Sequence, residues 1–143
     1  MKEDLKIHGL RLSKPRLAVL EFFEKNKTGH FSINEIYEEI KKQNQKASYT
    51  SVYRTCKLLE KLGFLRQISF EERHIHYESN LVPHIHFQCL SCGKVIEEDL
   101  EHPEKILEIL NIKDKNFQIT SFRIHILGLC EECQNKAQKE EDL

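Results

Sequence analysis

Apolar residues recur at helical spacing through the first half of the chain and alternate with polar ones through much of the second. In "SKPRLAVLEFFEK", Leu17, Leu20 and Phe23 share one helical face, and Pro15 stands near the start, where its missing N–H costs little. In "SINEIYEEI", Ser32 and Glu35 match a capping box ahead of Ile36, Tyr37 and Ile40. "SYTSVYRTCKLLEKLGF" predicts a third helix, capped by Ser48, striped by Val52, Cys56 and Leu59 and ended by Gly63. "LRQISF" and "HIHYES" read as two strands joined by the polar turn "EER". Three helices followed by a hairpin predict a winged helix-turn-helix.

The texture changes near residue 81. "HIHFQC" and "KVIEED" predict strands around a first cysteine pair, and "PEKILEIL" predicts a short amphipathic helix with Pro103 at its start. "FQITSFRIHIL" alternates as a further strand and runs into "CEEC". The expected fold is α+β, with a winged-helix module over residues 1–80 and an α/β module with a small antiparallel sheet over residues 84–143. Residues 79–83, "SNLVP", read as the linker, and the tail "NKAQKEEDL" as frayed or weakly helical.

Composition adds a charge asymmetry. Residues 1–80 carry 15 Lys and Arg against 11 Asp and Glu, whereas residues 81–143 carry 7 against 12. A mildly basic front and an acidic back suggest modules with different partners. No stretch approaches the roughly 18–20 apolar residues that span a membrane, and the charged "MKEDLKIHGL" lacks the apolar run of a signal peptide. The expectation is a cytoplasmic protein, where cysteines stay reduced and paired ones suggest metal rather than disulfides.

Cys89/Cys92 and Cys130/Cys133 form two CxxC pairs, and two such pairs complete a closed four-cysteine zinc site. Redox dithiols are the competing reading, but these favour a helix start in a βαβ context and leave the matched second pair unexplained. Cys56, on an apolar helical face, reads as an inert core residue. In "HIHFQC", His84 and His86 are two apart on a strand, so both imidazoles face one side and form half of a second metal site. An open catalytic metal centre would use the same residues, but no nucleophile or substrate-positioning motif accompanies them.

The segments "LSKPRLAVLEFF", "HFSINEIYEEI", "TSVYRTCKLLEKLGFLRQI", "HYES", "HIHFQCLSCGKVIE" and "RIHILGLCEEC" together resemble the ferric uptake regulator family of metal-sensing transcriptional repressors, over nearly the whole chain. The resemblance implies a homodimer, with an N-terminal DNA-binding winged helix and a C-terminal dimerisation module. It implies a regulatory site between the modules formed by His30, Glu78, His84, His86 and Glu97. Such a mixed nitrogen and oxygen shell suits Fe(II), Mn(II), Co(II) or Zn(II). The expectation is structural Zn(II) at the cysteines and Fe(II) at the regulatory site, with Mn(II) or Zn(II) as alternatives there. A third family site is expected to be absent, since its positions read Pro83, Ile85 and Phe122. His125 lies nearby in the last strand, but not at the family's ligand position. His74 and His76 share a strand face with Glu78, which makes His76 a candidate extra or substitute ligand, but two exposed wing histidines are the favoured reading. Peroxide-sensing members usually carry aspartate where this chain has Glu97, and many zinc-responsive members carry a further cysteine not found near Glu78. Both variants remain alternatives to iron sensing.

The expected partner is double-stranded DNA carrying a palindromic AT-rich operator. Tyr53 and Arg54 sit at the exposed start of the third helix, where a guanidinium can pair with guanine and an aromatic edge can touch a thymine methyl. Thr50, Ser51 and Thr55 are short donors suited to phosphates. Arg11 and Arg16 flank the first helix, and by resemblance Arg11 would enter a minor groove, which AT-rich tracts narrow. Lys57 and Lys61 read equally as non-specific attraction or a solvated face.

Overall fold

A computed structural model describes residues 9, 11–43, 46–69, 74–111 and 118–141 of the chain. Its internal contacts separate two units, Met1–Leu81 and Val82–Leu143.

The first unit contains α1 (Lys14–Lys25), β1 (Phe31–Ser32), α2 (Ile33–Lys42), α3 (Tyr49–Lys61), β2 (Arg66–Ser69) and β3 (Ile75–Glu78). Its interior joins Leu20 and Phe23 of α1, Ile36 and Ile40 of α2, Val52, Cys56 and Leu59 of α3, and Tyr77 of β3. Both predicted caps form. The Ser32 Oγ accepts from the Glu35 N–H while the Glu35 carboxylate accepts from the Ser32 N–H. At α3, Ser48 and Ser51 exchange the same pair of bonds, so serine fills the position glutamate takes in α2. The α3 C-terminus closes where Gly63 adopts φ +78°. There the Phe64 N–H reaches the Leu59 carbonyl at 2.8 Å and the Gly63 N–H reaches that of Glu60 at 2.9 Å.

The wing has one strand more than the hairpin expected. β1 pairs antiparallel with β3, setting Phe31 against Tyr77 and Ser32 against His76, and the strand order is β1-β3-β2. A two-residue strand is too short to show alternation in the sequence. The turn "EER" lies outside the described residues.

The second unit contains β4 (His84–Cys89), β5 (Val95–Asp99), α4 (Pro103–Ile109), β6 (Ile124–Gly128) and α5 (Glu131–Glu141). Its sheet, ordered β5-β4-β6, is mixed rather than antiparallel: β4 pairs antiparallel with β5 but parallel with β6. The tight β4–β5 turn, with Gly93 at φ +75°, reverses the chain. The long connection through α4 then returns it to the other side of β4 in the original direction, as a parallel pair requires. Register places Ile85, Phe87, Ile96, Ile124 and Ile126 on one face and His84, His86, Glu97 and His125 on the other. α4 buries none of its residues, and Ile109 and Leu110 are exposed.

The tail also departs from expectation, because α5 is regular helix from Glu131 through Glu141. The Cys133 and Gln134 N–H groups both bond the Cys130 carbonyl, and Lys94 reaches Glu132 at 3.2 Å, so the helix start is anchored to the β4–β5 turn. Among the described residues no helix is long and apolar enough to cross a membrane.

Candidate metal centres and nucleic-acid face

Parallel pairing of β4 and β6 sets Cys89 opposite Gly128, so both CxxC pairs lie at the same end of the sheet. The four sulfurs of Cys89, Cys92, Cys130 and Cys133 all lie within 4.8 Å of one another, and Cys92 Sγ is 3.7 Å from Cys130 Sγ. Four sulfurs at ~2.3 Å from one tetrahedral ion would stand about 3.8 Å apart. The donor set therefore fits zinc with little movement. The Cys130 N–H donates to Cys89 Sγ at 3.3 Å. That bond first, then N–H groups of Cys92 and Ser91, holds the Cys89 thiol down to about 6. At Cys133 the Ser91 hydroxyl pulls downward, but Cys130, burial, Cys92 and Cys89 push the thiol up to about 11. Cys89 is thus readied as a thiolate, and an ion would draw off the Cys133 proton.

The other end of β4 builds a different shell. His84 and His86 are 3% and 5% exposed, and their Nε2 atoms lie 3.1 Å apart. The His84 Nδ1–H donates to the Val82 carbonyl at 2.8 Å, which leaves Nε2 carrying the lone pair in the neutral ring. Glu97 stands opposite His86 on β5, its Oε1 3.9 Å from His86 Nε2. Each of the three offers a ligand atom within 4.8 Å of the others.

In the first unit, Glu78 is fully buried at the end of β3, with Arg66 Nη1 3.6 Å from its Oε1. His76, on the same strand face, is half-buried with its ring centroid 5.5 Å from that of His30. This departs from two exposed wing histidines: His74 is exposed, but the β1–β3 pairing draws His76 inward.

A second feature of this unit is a cleft between α1 and the start of α3. Arg11, Arg16 and Arg54 line it with Ser48, Thr50 and Ser51. Arg16 Nη1 donates to the Arg11 carbonyl at 2.7 Å, tying the two together. Tyr53 is exposed beside Arg54. Thr55 differs from its expected role as a surface phosphate donor: it is buried, and its hydroxyl donates to the Ser51 carbonyl at 2.7 Å. The Ser51 hydroxyl is engaged in the α3 cap. Lys57 is engaged as well, with Nζ 2.9 Å from Glu60 and 3.0 Å from Gln67.

Residues 7–127 match the sequence profile of the ferric uptake regulator family. The chain belongs to that family. A ferric uptake regulation protein of Synechococcus elongatus is 33% identical over 137 residues, which span 94% of this chain and 92% of the relative. The Helicobacter pylori ferric uptake regulator, described with three functional metal-binding sites, superposes with a TM-score of 0.73 at 30% identity over 93% of this chain and 88% of its own. The Vibrio cholerae regulator, described with rearranged DNA-binding domains, gives 0.72 at 29% identity over 90% and 98%.

Of the residues the sequence reading nominates, the fold gathers Cys89, Cys92, Cys130 and Cys133 at one centre and His84, His86 and Glu97 at another, while His30 and Glu78 belong to the first unit. Arg11, Arg16, Thr50, Ser51, Arg54 and Thr55 line one cleft, Thr55 as a buried member of its wall. Two features escaped sequence reasoning. Tyr49 is exposed and stacks edge-on with Tyr37 at 5.7 Å, yet its place at the first turn of a helix carries no periodic signal. His76 is drawn in by a strand too short to predict.

Proposed function

We propose that this family member is a metal-dependent, DNA-binding transcriptional repressor that answers to Fe(II) and holds structural zinc at Cys89, Cys92, Cys130 and Cys133. The observation that carries the reading is the convergence of two buried imidazoles and a carboxylate, His84, His86 and Glu97, in a centre without thiolates. Nitrogen and oxygen donors hold first-row divalent ions more exchangeably than a thiolate cage, which suits a sensor. His30 and Glu78 complete the shell, so the first unit contributes to it and metal occupancy biases its pose. Glu97, where peroxide sensors usually have aspartate, favours metal response over peroxide response.

In this reading residues 1–80 act as the winged-helix DNA-binding domain, residues 84–143 as the metal-binding dimerisation domain, and 79–83 as the linker. Arg54 and Tyr53 read base edges in the major groove, and Arg11 and Arg16 meet the backbone and an adjoining AT-rich minor groove. Thr50 and the start of α3 add phosphate contacts. The exposed apolar side chains of Ile96, Ile126, Leu127 and Leu129 support burial against a second copy of the chain. A symmetric dimer then presents two reading helices to a palindromic operator. Bound at the regulatory centre, a divalent ion supplies a cross-link among the donors. The chain's own residues orient it, with the Val82 carbonyl fixing the His84 tautomer.

The test is anaerobic fluorescence anisotropy with operator DNA from upstream of the protein's own gene, using protein whose cysteine centre is zinc-filled. Titration with Fe(II), Mn(II) and Zn(II) separately is expected to tighten binding at least about tenfold, or ~1.4 kcal/mol of coupling, with Fe(II) acting at the lowest free concentration. His86→Ala should stay folded and lose that response. Equal affinity with and without metal in the unaltered protein would overturn the reading.

A further inference from the structure

Four side chains at the start of the reading helix are exposed: Tyr49, Thr50, Tyr53 and Arg54. At about 3.6 residues per turn they follow one another around α3 in the order Tyr49, Tyr53, Thr50 and Arg54, over about 140° of its surface. Thr50 and Arg54 lie at one edge of that arc and line the cleft with Arg11 and Arg16. Tyr49 lies at the other edge, against α2. The arginine cleft therefore serves only one flank of the helix.

At the Tyr49 edge the ring meets that of Tyr37 on α2, with 5.7 Å between centroids and 76° between planes, a favoured edge-to-face pairing. Tyr37 packs in turn against the core of the first unit. The Lys41 ammonium, one turn further along α2, sits over the Tyr37 ring at 5.8 Å. The tyrosine ring is thus held in place before any partner arrives, which lowers the ordering cost of using it. Among the described residues the Tyr49 hydroxyl makes no hydrogen bond and Lys41 makes no ion pair, whereas Lys42 is engaged by Glu39 at 3.8 Å. The α2 carboxylates Glu35, Glu38 and Glu39 line a separate groove with Phe22 and Phe31. A free hydroxyl and a free ammonium beside the reading helix match the chemistry of a phosphate.

We propose that Tyr49 and Lys41 form a second phosphate site for duplex DNA, on the flank of α3 away from Arg11 and Arg16. The Tyr49 hydroxyl donates to a phosphate oxygen, and the Lys41 ammonium neutralises the same stretch of backbone. A helix lying in the major groove has one sugar–phosphate strand on each side, and in a helix-turn-helix the helix before the reading helix crosses the backbone. The arginine cleft meets one strand and the Tyr49 edge the other. Contacts of this kind fix the register of the reading helix without carrying sequence information themselves. The proposal rests on the DNA-binding reading and adds to it two residues to which the family resemblance gives no role.

The experiment uses the full chain, zinc-filled at the cysteine centre and saturated anaerobically with Fe(II). Fluorescence anisotropy over a range of salt concentrations measures binding to the operator duplex and to a duplex of unrelated sequence. Tyr49→Phe keeps the ring and its contact with Tyr37, so the melting temperature by calorimetry should not change. Its affinity should fall at least about tenfold on both duplexes, the loss expected for a hydrogen bond to a charged group. Lys41→Gln should lower the slope of log affinity against log salt by about 0.9 for each copy bound. A single neutral methylphosphonate linkage, moved along each operator strand, should reach a position where the unaltered protein binds no better than Tyr49→Phe. Unchanged affinity in Tyr49→Phe, with an unchanged salt slope in Lys41→Gln, would overturn the proposal and leave the DNA-binding reading intact. A Tyr49→Phe loss confined to the operator would also overturn it, because Tyr49 would then read a base. If the unaltered protein bound neither duplex, both readings would fall together.

Discussion

Removing zinc from the cysteine centre is expected to unfold Val82–Leu143 while Met1–Leu81 stays folded. The second unit has almost no apolar interior. Its buried hydrophobic residues, among those described, are Cys89 and Cys133 themselves, whereas Val82, Leu90, Ile96, Ile126 and Leu129 are exposed. A unit this small rarely draws more than about 3–5 kcal/mol from a core. Structural zinc supplies about 10–16 kcal/mol of apparent binding energy near neutral pH in small zinc-binding peptides. Losing it should exceed everything else the unit has, even at half that value. The first unit buries Leu20, Phe23, Ile36, Ile40, Val52, Leu59 and Tyr77 together and needs no ion. The chain suits the measurement, because it has no tryptophan and its four tyrosines, Tyr37, Tyr49, Tyr53 and Tyr77, all lie in the first unit. Near-ultraviolet circular dichroism therefore follows that unit, and amide hydrogen exchange over β4, β5 and β6 follows the other. After chelation under reducing conditions the tyrosine signal should persist while sheet protection disappears, and Cys89→Ser should behave alike. Protected β4 and β6 amides in protein shown by metal analysis to be zinc-free would refute the reasoning.

Cysteine alkylation should separate the same two units: zinc-stripped protein without denaturant, its first unit still folded, takes up four labels and fully denatured protein five, with Cys56 the difference by mass spectrometry. Burial pushes the Cys56 thiol up to about 12 from 9.0. Its contribution to stability is therefore complete below pH 9 and is lost as pH rises through about 12, visible as a steeper alkaline fall in melting temperature than in Cys56→Ala. Ser48→Ala removes the α3 cap and should cost about 1 kcal/mol, or roughly 4–8 °C in the melting of a unit this size by calorimetry. Arg54→Ala should cost about 1–3 kcal/mol in operator binding and relax discrimination at one base. Lys57→Ala should barely change the salt dependence of binding, because Glu60 and Gln67 already hold its ammonium.

The helices of the first unit were legible because their signals are local. Ser32 with Glu35, Ser48 with its helix, and Gly63 each act within one turn, and the apolar stripes follow from the 3.6-residue period. The cysteine centre was legible for a similar reason, since two CxxC spacings carry their chemistry with them. What escaped depends on distant partners. Phe31–Ser32 is a strand only because Tyr77 and His76 lie beside it. β6 alternates whichever way it pairs, so its parallel setting against β4 is invisible until the crossover is seen. Thr55 looked like a surface hydroxyl because sequence does not show which flank of a polar helix turns inward, or that the Ser51 carbonyl would accept its hydrogen bond. The tail was read as frayed or weakly helical, and the regularity of α5 escaped because its polar composition has no core-facing stripe; its start is fixed by Cys130 and Glu132.

β4 also works as a ruler. His84 and His86 occupy one end and Cys89 the other, with only Phe87 and Gln88 between the two chemistries. Strand alternation sets those chemistries on opposite faces, at about 3.3 Å of rise per residue. Inserting or deleting a single residue in that spacer would turn one ligand set to the wrong face while leaving composition and hydrophobicity nearly unchanged. Lineages of this protein can thus drift in the long connection after β5 or in the tail helix. The spacer can exchange side chains, but it cannot change length.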